Sequence, residues 1–172
     1  MAANTYTLIS SSTVATNTAS VTFSSIPSTY TDLVIRCSNR TASGGVETLN
    51  IQLNGDTATN YSSQNVKGSG TAASSSRTTS ATSATMYTSD WSSDTANTFS
   101  NGEIYIPSYT VAQNKPIGTF GVEENNAAAA FTTASASLWR STAAVTSITL
   151  IYTGGNDHLA GSTFYLYGIK NS

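Results

Sequence analysis

Leu49-Asn50-Ile51-Gln52-Leu53-Asn54-Gly55 carries a clear strand-and-turn pattern. Leu49, Ile51 and Leu53 alternate with Asn50, Gln52 and Asn54, and a period of two places the three apolar side chains on one face of an extended strand. Asn-Gly then follows directly, the strongest short-range hairpin signal. The pair predicts a strand that stops at Asn54, with a return strand from Tyr61 to Val66.

The same alternation recurs outward from this point. Towards the N-terminus, Asp32 to Ser38 sets Leu33, Ile35 and Cys37 against Val34, Arg36 and Ser38. Ala19 to Phe23 and Thr5 to Ile9 read as two earlier strands, and Pro27 makes a bend of Ile26 to Tyr30. Towards the C-terminus, strands are expected at Ala84–Thr88, Gly102–Pro107, Lys115–Val122, Ala128–Trp139, Val145–Tyr152 and Ser162–Ile169. Gly154-Gly155-Asn156-Asp157 is a turn. The Ala127–Ala130 run could instead form one turn of helix. Gly68 to Ser83 is a low-complexity Ser/Thr/Ala/Gly tract, expected as a long loop or an exposed edge ordered by a neighbour. No segment has the period of an amphipathic helix. Eight to ten short strands predict an all-β fold: an antiparallel two-sheet sandwich of jelly-roll type, forming one domain over residues 1–172, with 1–25 as a possible assembly arm.

Composition agrees with that class. Ser and Thr make up 57 of 172 residues, and only 9% are charged, against about 25% in a typical soluble domain. Thr favours strands, Ser favours turns, and the nine Tyr and five Phe argue against a disordered stalk. The net charge is −2, with seven scattered basic residues, so no basic stripe is present to neutralise phosphates and nucleic acid is not an expected partner. No apolar run approaches the length of a membrane helix. Met1 to Thr5 lacks the features of a signal peptide. A single cysteine fits synthesis in a reducing cytoplasm.

An ordered set of pieces carries a resemblance: Thr5-Tyr6-Thr7-Leu8-Ile9-Ser10, Ser25-Ile26-Pro27-Ser28-Thr29-Tyr30-Thr31-Asp32-Leu33-Val34-Ile35, Ile104-Tyr105-Ile106-Pro107 and Leu166-Tyr167-Gly168-Ile169-Lys170. Together they resemble a group of small tailed-phage proteins, abundant in phages of marine bacteria and cyanobacteria and treated as virion parts. The resemblance implies a virion component made in the bacterial host cytoplasm, with other virion proteins (major capsid or tail subunits) as partners.

Candidate sites are few. His158 is the only histidine, which removes Ser-His-Asp, Cys-His and multi-histidine metal schemes; its place after the Gly-Gly-Asn-Asp turn predicts an exposed loop side chain. Cys37, on the apolar face beside Leu33 and Ile35, is expected to be a buried inert thiol. Glu103, Glu123 and Glu124 are the carboxylates weighed for glycoside hydrolysis, which needs two carboxyls a few ångströms apart. Asp90 and Asp94 flank Trp91 without the dense ligand pattern of a calcium loop and read as a solvated turn. Trp91, Tyr61, Tyr87 and Tyr109 fall at loops or strand ends and form the expected binding surface, for a sugar or a protein. No catalytic residue, cofactor or metal is expected. The functional expectation is a non-enzymatic virion protein that decorates or cements the particle surface, homo-oligomeric with a trimer as first guess. The alternative is a tail or fibre tip that binds a host cell-surface glycan.

Overall fold

The computed structural model describes residues 5–45, 47–87, 90–126 and 130–171. The fold is all-β. Among the described residues there are twelve strands and one short 3₁₀ turn at Thr153–Gly155. The strands are β1 (Tyr6–Thr13), β2 (Ser20–Phe23), β3 (Asp32–Asn39), β4 (Leu49–Leu53), β5 (Tyr61–Ser69), β6 (Ala72–Ala81), β7 (Ala84–Met86), β8 (Ser100–Ile106), β9 (Lys115–Glu124), β10 (Ala130–Trp139), β11 (Ile148–Tyr152) and β12 (Thr163–Ile169). They form an eight-stranded sheet in the order β1-β12-β3-β8-β9-β10-β5-β6 and a four-stranded sheet in the order β2-β11-β4-β7. Every strand pairing is antiparallel.

The alternation seen in the sequence aims each apolar set into the space between the sheets. Leu33, Ile35, Ile104, Ile106, Phe164 and Leu166 come from the large sheet, and Leu49, Ile51, Leu53, Ile148 and Leu150 from the small one; all are at most 1% exposed. Burying each such side chain is worth about 1.5–3 kcal/mol, and a one-residue slip in any strand would turn its set outward. Away from this centre the filling changes. Where β5, β9 and β10 run past the apolar core, the inward positions are Ser63, Asn65, Thr119, Thr133, Ser135 and Ser137, all buried. Four of their hydroxyls are bonded: Ser63 with Ser137 at 2.7 Å, Thr119 to the Thr85 carbonyl of β7 at 3.2 Å, and Thr133 to the carbonyl of Tyr87 just after β7. Part of the Ser/Thr excess therefore fills the interior of this wing.

Four expectations are corrected. The Asn54-Gly55 turn is not a hairpin: β4 pairs with β11 and β7, while β5 pairs with β10 and β6. The backbone does take the left-handed turn, with φ of 55° at Asn54 and 67° at Gly55, but it carries the chain from one sheet to the other. Side chains hold this corner. Asn54 Oδ1 accepts from the Thr146 and Ser147 amides, and Asp56 Oδ2 accepts from the Trp139 indole at 2.7 Å and from Asn60 at 2.9 Å. The Tyr61 hydroxyl accepts from the Leu53 amide. Second, of the two forms expected for residues 68–83 the exposed edge is the one present and the long loop is not: β5 runs to Ser69, Gly70 turns at φ 62°, and β6 returns along the edge to Ala81. Third, residues 5–25 are not a free arm, because β1 pairs with β12 and β2 with β11. Fourth, the Ala84–Thr88 strand ends at Met86; Thr88 and residues 127–129 of the alanine run lie outside the described residues, as do residues 1–4.

Candidate functional site

Of the four aromatics expected to bind, two are structural. Tyr61 and Tyr109 are fully buried. Tyr61 stacks on Trp139 with ring centroids 6.3 Å apart and plugs the β4–β5 corner; burial pushes its hydroxyl up to about 12. The Tyr109 hydroxyl donates to the Pro27 carbonyl and pins the bend before β3. The sequence placed both near strand ends correctly but could not show that each points inward. Tyr87 and Trp91 are half-buried. They flank one corner of the wing: Trp91 leans on Phe131 at 6.3 Å, Lys67 Nζ lies 4.5 Å from the centroid of that same ring, and Lys67 also lines a hollow with Tyr87, Asn65 and Ser74 to Ser76.

His158 is the largest departure. It is fully buried, not exposed on a loop. Its backbone bridges to Thr18 and Thr41, its ring lies 4.6 Å from Tyr152 and 5.2 Å from Phe164, and its Nε2 is 3.1 Å from the Leu150 carbonyl. Burial lowers its proton affinity. It is an interior cross-link between the sheets. Cys37 is buried as expected, its thiol pushed up to about 12 by desolvation, which keeps it protonated and inert.

The carboxylates do not make a glycosidase pair. Glu103 sits on the outer face of β8 in an exposed ion pair with Arg36 at 2.7 Å, while Glu123 occupies an inward position of β9 and is buried. Opposite faces of one sheet cannot flank one sugar. Glu124, the next residue, points outward and is exposed. Asp90 and Asp94, by contrast, are not a solvated turn. Asp90 is fully buried, and oxygens of Asp90, Asp94 and Glu123 lie within 4.8 Å of one another. Asn125 donates to Asp90 at 3.2 Å and the Trp91 amide to Asp94 at 2.7 Å. Arg40 stands beside them, its guanidinium spent on the carbonyls of Ser92, Asp94, Thr95 and Thr98. Burial raises the Asp90 carboxyl above its ordinary range, with Asp94 adding to the effect and Arg40 opposing it. Three carboxylate oxygens could hold a hard cation; a proton shared within the group achieves the same neutralisation. The phase of β9, with Glu123 in step with Ile117 and Thr119, was enough to point Glu123 inward, but its meeting with Asp90 and Asp94 depends on the fold and was not legible.

The broadest feature is the outer face of the large sheet. Strand register aligns one row across it: Ser75, Val66, Ala134, Phe120, Glu103, Arg36, Tyr165 and Ser11. The next row runs Arg77, Gln64, Ala136, Gly118, Tyr105, Val34, Tyr167 and Leu8. Val66 is 54% exposed, Leu8 52% and Phe120 51%. Val66, Ala134 and Phe120 floor a shallow hollow walled by Ala73 to Ser75 and Thr132. The Arg36–Glu103 ion pair lies in the middle of the first row. Among the described residues no helix is long and apolar enough to cross a membrane. No family model matches the chain, and neither a curated protein nor a solved structure matches it.

Proposed function

We propose that this chain is a structural, non-catalytic subunit of a phage virion, wired as a jelly roll, which decorates or cements the particle surface by contact with neighbouring capsid or tail subunits. The strand order is the observation that carries the reading. With β5, β6, β9 and β10 set aside, the sheets read β1-β12-β3-β8 and β2-β11-β4-β7. Those are the orders that two interleaved Greek keys produce, and double-sheet jelly rolls recur in viral capsid and lectin domains. The resemblance of the four sequence pieces to tailed-phage proteins chooses the virion among these. The outer face supports it in turn: an aromatic and aliphatic row with small and hydroxylated neighbours makes a surface able to lie against another subunit.

The test is uptake of the purified protein by particles stripped of it. Phe120→Arg places a charge at the centre of the row without touching the core, and Val66→Glu does so two strands away, on β5. Each variant should keep the wild-type circular dichroism and lose uptake by tenfold or more, since central contacts are worth about 2 kcal/mol or more. Undiminished uptake of both variants contradicts contact through this face.

A second reading, a tail or fibre tip that binds a host glycan, is favoured by one observation: the hollow lined by Tyr87, Asn65, Lys67 and Ser74 to Ser76 combines an aromatic ring with polar groups. Binding to host cells that Tyr87→Ala abolishes, with no uptake onto particles, would select it.

A further inference from the structure

A two-sheet sandwich has four edges, and an edge strand offers unpaired backbone amides and carbonyls to any passing strand unless something blocks it. Three of the four edges here are blunted. β2 has four residues and β7 three. β1 has eight but carries a bulge between Leu8 and Ser10, which bends the strand and interrupts pairing. β6 is different. It has ten residues, Ala72-Ala73-Ser74-Ser75-Ser76-Arg77-Thr78-Thr79-Ser80-Ala81, nine of them exposed and the last half-buried. It pairs with β5 alone; its one register shift is at Ser80, near its end, and the pairing then runs without a break from Thr79 to Ala72. It contains no proline, one charge and no residue larger than Arg77.

We propose that β6 joins two copies of this chain, edge to edge and antiparallel, so that their large sheets become one continuous sheet. This rests on the reading of the chain as an assembling subunit and names its partner. The occupant follows from the side chains of β6 itself. Ser and Thr hydroxyls both donate and accept, so a hydroxylated strand is its own complement, and Thr–Thr and Ser pairs are favourable across strands. A two-fold axis through Ser75 sets Ser75 against Ser75 and Arg77 against Ala73. The two arginines are then four residues apart along the strand, about 13 Å, beyond the Debye length of about 8 Å. In this register Ala72 to Thr78 of each copy pair, giving about seven backbone hydrogen bonds, within the range of an ordinary interface. The same axis brings the two Ser75–Val66–Ala134–Phe120 rows end to end on one outer face. A pair of this kind closes with two copies, a dimer and not a trimer.

Sedimentation of the full chain and oxidative cross-linking test this together. The wild type should sediment as a dimer. Ser75→Cys should form a disulfide-linked dimer within minutes of mild oxidation, because residues facing across an antiparallel pair have Cβ atoms close enough to bridge. Thr79→Cys, which faces the turn of the other copy, should not, and the buried Cys37 thiol does not compete. The double variant Ala73→Lys with Ser75→Lys should sediment as a monomer with unchanged circular dichroism. A monomeric wild type, or cross-linking at residue 79 equal to that at residue 75, overturns the pairing. Uptake onto stripped particles separates this from the function: monomers that load sink the pairing and leave the subunit reading standing, whereas dimers that never load sink the subunit reading and leave the pairing.

Discussion

Gly168 shows at the scale of one residue why a short sequence piece is worth quoting. A Cβ at this position would stand 2.3 Å from Cγ of Tyr30, so the strand Thr163–Ile169 needs a glycine where the ring from the 26–30 bend lies flat on it. Gly168→Ala should cost about 1–3 kcal/mol by overpacking, read as a lower urea midpoint, and Tyr30→Ala in the same chain should recover part of that loss. His158 gives a pH dependence. Burial depresses its folded pKa below the ordinary 6.5, so the unfolded chain binds the proton first, and stability is full above about 6.5 and falls as pH drops towards the folded value. His158→Phe should be less stable at pH 7 but lack the loss below about pH 6.5 that the wild type shows. Asp90 has the opposite sign. Its folded pKa is raised by burial, so its contribution is full below the ordinary 3.8 and is lost as pH rises through the folded value. Asp90→Asn should therefore gain on the wild type as pH goes from about 4 to 7 in metal-free buffer. Added calcium that erased this gain would identify the Asp90–Asp94–Glu123 group as a cation site; a gain unaffected by calcium leaves a shared proton.

At the scale of the element, the strands divide by what lies beneath them. The strands over Leu33, Ile51, Ile104, Leu150 and Leu166 bury aliphatic groups, whereas the wing of β5, β6 and the outer half of β10 rests on Ser63, Thr133, Ser135 and Ser137. Apolar burial supplies most of the stabilisation, and a hydroxyl pair adds only about 1 kcal/mol net. Amide exchange should therefore be faster along Ala72–Ala81 and Tyr61–Ser69 than along Asp32–Asn39 and Thr163–Ile169. Equal protection in the two groups would contradict the division. Local alternation made the core positions legible: Leu49, Ile51, Leu53, Ile148 and Leu150 needed nothing beyond period two. The partner of each strand was not legible, because Asn54-Gly55 has the same backbone in a hairpin as in a corner between sheets, and the bonds from Asn54 to Thr146 and Ser147 span more than ninety residues. The low-complexity tract hid β6 for a related reason: when small hydroxylated residues face solvent on both sides, no alternation remains to be read. His158 was hidden because the backbone pairing that holds it inside is with Thr18 and Thr41, far away in the sequence.

For the whole molecule, an eight-stranded sheet overhangs a four-stranded one, and the overhanging flank ends in the unblocked edge β6, beside the exposed Val66 and Phe120 of the outer face. The interior has one histidine, an inert thiol and an acidic group spread between a loop and a strand end, and the two carboxylates weighed for sugar cleavage are on opposite sides of a sheet. These features suit a part that works by touching its neighbours in many copies, where symmetry multiplies modest contacts. A surface-covering subunit and a tip that seeks a glycan differ most plainly in number. Quantitative mass spectrometry of purified virions, with the major capsid protein as internal standard, counts the copies. A surface-covering subunit should be present in hundreds of copies, in a fixed ratio to capsid or tail-tube subunits. A count of a few to tens per particle would place the chain at the tail tip and contradict this reading.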